Sequence, residues 1–334
     1  MEYQYTQAPC PLPPDKDPAY RRGERKNLSR IFFGLFFYLL VSSFVAAALG
    51  LMTSIIAPEW QESQSYLFWA QVAPAYLIGF PLCWLMLSGC PQKIPEKQKF
   101  PFKNRVLFLA IAYAALYGGN LIGVYFNQII STITGIEGGS GMSEIMNQMS
   151  PLLVLLLVVI IGPIIEEILF RRIVLTRLLP YSERLAVLLS GLLFGLFHGN
   201  LQQFFYAFFV GCVLGYVYLK TGKLRHTILM HMLLNLTGSF IPLLFQRQSQ
   251  TSAALAASIN PWKMLFGLFS LAIFVLAICG LWLFFLNLKD FKLKKEGERG
   301  LSMSNQIWLS IGNGGMIAFL VLSAASFIGS LFLT

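Results

Sequence analysis

The chain has 334 residues, of which 56% are apolar and only 12% charged, and its mean hydropathy is +0.65. That balance leaves too little polar surface to clothe a water-soluble domain and places the chain in the membrane class. The net charge of +10 does not point to nucleic acid, because the basic residues sit between apolar runs instead of forming a surface patch interleaved with aromatics.

Composition marks residues 1–30 as a flexible basic cytosolic tail, with Pro11, Pro13, Pro14 and Pro18 among Asp and Lys and no apolar core of a signal peptide. Residues 31–334 then form one transmembrane domain. A spanning helix needs ~20 mostly apolar residues. The segments that qualify run roughly over 31–57, 68–90, 106–130, 150–170, 185–199, 203–219, 227–246, 264–288 and 306–333. The expected fold is therefore all-α, a polytopic bundle of about nine spanning helices. The third segment carries Asn120 and Asn127, and the fifth is short.

Of the 25 Lys and Arg residues, 23 fall in the tail and in 91–105, 171–184, 220–226 and 289–299, leaving only Arg247 and Lys263. Loops 58–67 and 131–149 carry Glu59, Glu62, Glu137 and Glu144 and no basic residue. The positive-inside rule then puts the N-terminus in the cytosol, and an odd helix count puts the C-terminus outside, as in a multi-pass protein of a bacterial plasma membrane. The Lys- and Pro-rich stretch 91–105 is the one candidate internal linker, and no internal repeat is evident. Cys10, Cys83, Cys90, Cys212 and Cys279 are scattered without metal-type spacing and read as reduced packing residues.

Ionisable groups inside a spanning helix are costly, and the fourth segment ends in a group of them, Glu166, Glu167 and Arg171. Glu167 and Arg171 are four apart with Glu on the N-terminal side, the favourable order for an ion pair on one helix face. Glu166 is rotated about 100° from its neighbour and can point elsewhere, as a free carboxylate able to act on water. Gly162-Pro163 precedes the pair, and the missing proline donor is expected to leave the Val159 carbonyl unpartnered and kink the helix. Taken alone, the Glu/Arg group also suits an interfacial pair at the cytosolic helix end. The three histidines shift that balance. His198 follows Phe194 by one turn in the fifth segment, and Asn235 shares a face with His231 in the seventh. His226, beside Arg225, reads as a solvated interfacial residue. Counted from the cytosolic ends, Glu166 and His231 lie ~10 Å deep and His198 ~20 Å. Their levels match only if the fifth helix starts below the surface or tilts. Gly191, Gly195, Gly211 and Gly215 allow close crossing there.

These three motifs, Glu-Glu-x-x-x-Arg at 166–171, Phe-x-x-x-His at 194–198 and His-x-x-x-Asn at 231–235, resemble the signature of the CaaX protease and bacteriocin-processing family. That family, also called Abi, includes the type II CaaX prenyl endopeptidases. The resemblance covers about 150–240 and implies a catalytic core there, with catalytic residues on helices 4, 5 and 7. It implies intramembrane peptide-bond hydrolysis in which Glu166 and His198 activate water, His231 and Asn235 bind the oxyanion, and Glu167 and Arg171 hold Glu166 in position. No cofactor is firmly implied. Glu166, His198 and His231 could supply three ligands to a divalent metal such as zinc, but there is no His-Glu-x-x-His pair on one helix. The implied partners are a membrane-associated peptide or protein substrate and the bilayer, with no nucleic acid. A non-catalytic immunity or binding protein of the same fold is an alternative, although a binder needs no base and oxyanion pair together. A proton-coupled transporter is another, weakened by the lack of repeat symmetry.

Overall fold

The computed structural model describes residues 12–63, 66–135, 146–252 and 261–332. Cys10, Pro11, Glu137 and Glu144 lie outside them. All regular structure among the described residues is helical. In chain order the helices are α1 (Pro18–Ile56), α2 (Phe68–Leu87), α3 (Phe102–Thr134), α4 (Pro151–Leu178), α5 (Glu183–Phe197) and α6 (Leu201–Thr221). They are followed by α7 (Leu224–Gln248), α8 (Pro261–Leu286), α9 (Met303–Ile311) and α10 (Gly314–Phe332).

Among the described residues 8 helices, all but α5 and α9, are long and apolar enough to cross a bilayer. The protein is a multi-pass membrane protein. The expected ninth span, 185–199, is corrected to α5, which at 15 residues is ~22 Å long and falls short of the ~30 Å hydrocarbon core. At its end Gly199 takes a left-handed φ of 69°, a turn that favours glycine, and α6 returns beside α5. Lys220 near the end of α6 pairs with Glu183 at the start of α5 at 3.3 Å. Both feet of this hairpin therefore stand at one end of the bundle.

The basic segments gather at that same end. Backbone N–H groups of Lys93, Gln98 and Arg184 donate to the carbonyls of Thr176 (2.8 Å), Thr221 (2.9 Å) and Lys294 (3.1 Å). The 91–105 stretch is thus a fastened strap instead of a linker. Residues 18–30 are likewise helical and not tail, because Asp17 accepts from the Ala19 N–H at 2.8 Å and Pro18 suits the first helical turn. Buried Glu24 then accepts from the Tyr181 hydroxyl (2.6 Å) and from Arg299 (3.0 Å), tying α1 to the α4–α5 turn and the segment before α9. Burial, reinforced by the Glu24 hydrogen bond, pushes the Tyr181 phenol up, so it stays a donor. At the opposite end Arg247 donates to the carbonyls of Met146, Asn147 and Met149.

The core joins Leu28, Phe32 and Leu35 of α1 to Leu87, Phe170, Phe194 and Phe319. Glycines set how closely the inner helices cross. A Cβ on Gly211 would lie 3.0 Å from the Gly191 Cα, and one on Gly195 would lie 2.8 Å from the Phe204 carbonyl. Gly215 stands outside this closest approach, with its nearest neighbour at ordinary contact distance. Cys83, Cys90, Cys212 and Cys279 are unpaired, the first two buried as packing groups.

Gly211→Leu should overpack the α5–α6 crossing at a cost of about 1–3 kcal/mol, lowering the thermal midpoint in detergent. Gly267→Leu on α8, where a Cβ meets nothing within 4 Å, should leave that midpoint unchanged.

Candidate active site

Ser150 caps α4 by accepting from the Leu153 N–H at 3.3 Å, and Pro151 occupies the first turn. The helix then alternates in pitch, with π-helical turns over Leu155–Ile161 and Ile168–Leu175 on either side of an α-helical turn Gly162–Glu167. A π turn bonds i to i+5, so the Gly162 N–H donates to the Leu157 carbonyl. In this register the donor owed to Val158 belongs to Pro163, which has none. The orphaned carbonyl is therefore that of Val158 and not, as an α-helical count predicts, that of Val159. Asn235 of α7 supplies the missing bond, its Nδ2 donating to the Val158 oxygen at 2.9 Å.

The two glutamates part as their helical phase requires. Glu167 is fully enclosed, as is Arg171, whose Nε donates to Glu167 Oε2 at 3.0 Å while Nη2 reaches Oε1 at 3.4 Å. The third guanidinium nitrogen donates to Ser190 of α5 at 3.1 Å, and the Ser190 hydroxyl in turn donates to the Phe170 carbonyl at 3.0 Å. Glu167 Oε1 also accepts from His231 Nδ1 at 3.1 Å. This fixes the ring so that Nε2 points toward Glu166, whose Oε2 lies 3.8 Å away and whose side chain is 26% exposed.

His198 is oriented by its own helix. Its Nδ1 lies 2.8 Å from the Phe194 carbonyl, and since a carbonyl only accepts, Nδ1 carries the proton and Nε2 keeps a lone pair. Phe194 walls the whole group, with ring centroids 4.9 Å from His198 and 5.7 Å from His231 and the Arg171 guanidinium 5.1 Å from its face. Glu166, His198, His231 and Asn235 all line one cavity of about 510 Å³. The expected mismatch in depth closes between Glu166 and His198 because α4 continues past Arg171 to Leu178, putting Glu166 ~18 Å from that helix end and His198, just past α5, ~22 Å from its start, while His231 stays ~10 Å from the start of α7 at Leu224.

Sequence reasoning missed Ser190, although Ser190, Phe194 and His198 succeed one another at steps of four on one face. It also missed Tyr76, which lines the cavity from a π-helical turn of α2. Gly162 brings Tyr76 near the carboxylate, since a Cβ there would lie 3.2 Å from the Tyr76 hydroxyl and 3.8 Å from Glu166 Oε1. His226 departs from its expected solvated state. It is buried, its ring 5.2 Å from Phe100, because the strap 91–105 folds over the start of α7. Among the described residues no three His, Cys, Asp or Glu side chains group at metal-binding spacing.

Residues 148–237 match the family described as Type II CAAX prenyl endopeptidase Rce1-like. The chain carries an Rce1-like domain. This domain begins just before α4 and ends two residues after Asn235, so it holds all three motifs and the cavity wall they form. No curated protein and no solved structure matches the chain. The matching family is by its description one of endopeptidases, and the matched stretch runs from the start of α4 into α7.

If Asn235 compensates for Pro163, Asn235→Leu should cost about 1–3 kcal/mol of stability by stranding the Val158 carbonyl. Pro163→Ala in that background restores a backbone donor and should recover most of the loss. Thermal unfolding of the single and double variants checks this, and equal losses in the two would refute it.

Proposed function

We propose that the protein is an intramembrane endopeptidase hydrolysing a peptide bond of a membrane-associated peptide or protein. The observation that carries this reading is the different fate of the two adjacent glutamates. Glu167 is neutralised by Arg171, whereas Glu166 faces the cavity beside two oriented imidazoles. In the proposed step a water lies between Glu166 and the His198 Nε2 lone pair. Glu166 takes its proton as the oxygen attacks the scissile carbonyl carbon. The developing oxyanion accepts from His231 Nε2 and from the second Nδ2 hydrogen of Asn235, the one not used by Val158. For that donation the His231 ring carries both protons, a charge matched by the carboxylates on either side of it. Collapse breaks the C–N bond, and Glu166 returns the proton to the leaving amine. Glu167, Arg171 and Ser190 act through position alone.

The substrate class is argued from the surroundings. The cavity lies at bilayer depth and is walled largely by apolar residues such as Val72, Leu116, Leu157 and Phe197, which suits an apolar or lipidated substrate end. This agrees with the prenyl endopeptidases named in the matching family. The basic end of the bundle faces the cytosol in this reading, with the C-terminus opposite.

Co-expression with candidate membrane-anchored precursors tests the proposal. Glu166→Gln and His198→Ala should each reduce processing by about 10²–10⁴-fold while the proteins still insert. Processing that persists in both variants would exclude the mechanism.

A further inference from the structure

Asn120, half-buried on the membrane-spanning helix α3, plays no part in the hydrolytic scheme. It lines a second chamber of about 290 Å³ that adjoins the first and shares Tyr206, Asn235 and Ser239 with it. The chamber lies between α3, α6 and α7, and its own walls add Tyr117, Asn120, Gln202 and Gly238. Close packing builds it. A Cβ on Gly119 would lie 2.6 Å from the Tyr206 nitrogen and one on Gly123 2.6 Å from the Gln202 carbonyl, so these two glycines bring α3 onto the start of α6 and set Asn120 near Gln202.

The lining differs in kind from that of the larger cavity. It holds no charged side chain, yet three neutral polar groups, Asn120, Gln202 and Ser239, have no hydrogen-bond partner among the described residues. A serine in a helix usually returns its hydroxyl to the preceding turn, but Ser239 sits in the π-helical turn Leu236–Phe240 and does not. Unpartnered amides at bilayer depth are costly. The ligand that satisfies them without charge is another amide, because a carboxamide offers the same donor and acceptor as a peptide group and pairs with it two bonds at a time.

We propose that this chamber is a subsite for the polypeptide segment running on from the scissile bond, held through its backbone amides by Asn120, Gln202 and Ser239. The proposal rests on the peptidase reading and narrows its substrate to a chain that continues in extended form past the cleaved bond. Asn235, which borders both spaces, marks the point where the chain passes from one to the other. Recognition of backbone leaves the residue identity in this segment unrestricted.

Binding tests this apart from cleavage. Full-length protein carrying Glu166→Gln, in nanodiscs, is screened against a library of dye-labelled hexapeptides bearing a hexadecyl chain at either end. The best-bound member is then compared with its backbone N-methylated form. N-methylation should weaken binding about tenfold, and Asn120→Leu with Gln202→Leu should weaken the unmodified peptide about tenfold and erase the difference between the two forms. Bound peptides indifferent to both changes, within about twofold, would overturn the subsite and leave the peptidase reading standing. Failure of every library member to bind would overturn it as well, and cleavage of precursors would then judge the peptidase reading separately.

Discussion

The enclosed guanidinium of Arg171 is the constraint on which the rest of the site depends. A cation with no access to water is stranded at a cost of several kcal/mol unless its donors are met. Here they are met on two sides, by Glu167 one turn back on α4 and by Ser190 of α5. That demand fixes the Glu167 rotamer, and the fixed carboxylate becomes the acceptor that orients His231 of α7. Three helices are thereby registered by one charge. Glu166, its neighbour in sequence, is turned by helix phase away from this lattice and left to the cavity. The buried pair contributes position more than stability, as is common for ion pairs taken out of water.

A second device is the mixing of helix pitches around the cavity. π-helical turns occur on both sides of the glutamates, in α2 at Tyr76, and directly after Asn235. Each inserts a residue relative to an α-helix and rotates the side chains of the next turn, and such turns are frequent at functional sites. Each also frees backbone groups that hydrocarbon cannot satisfy. Asn235 answers one of these, so a residue expected to serve chemistry also repairs a backbone.

Much of this was legible in the residues. Glu167 and Arg171 meet as their spacing of four dictates, and Glu166 diverges as its phase dictates. The basic loops sort to one end because lysine and arginine do not cross a bilayer cheaply. The illegible part came from rephasing and from long-range packing. The α-helical count assigned the orphan carbonyl to Val159, because nothing in the composition announces a π turn. Tyr76 and Tyr38 carry no motif, and they reach the cavity only through the way α1 and α2 fold against α4. Hydropathy alone made a span of 185–199, which is as short as α5 itself, because its residues are apolar almost throughout until the polar hairpin His198–Gln203. The burial of His226 and of Glu24 depends on contacts with strap and loop segments far away in sequence.

The central claim is that the Glu167–Arg171 pair works by placing groups instead of by holding the bundle together. Removing both charges with Glu167→Gln and Arg171→Met, and comparing thermal stability with precursor processing, tests it most directly. Arg171→Met alone should lose about 3–5 kcal/mol by stranding the carboxylate, and the double variant should recover most of that. Processing should stay at least ~100-fold down in both, since the single variant frees Glu167 from the guanidinium that fixes it and the double variant also removes the charged acceptor of His231. A double variant that folds and also processes at the normal rate would contradict the account.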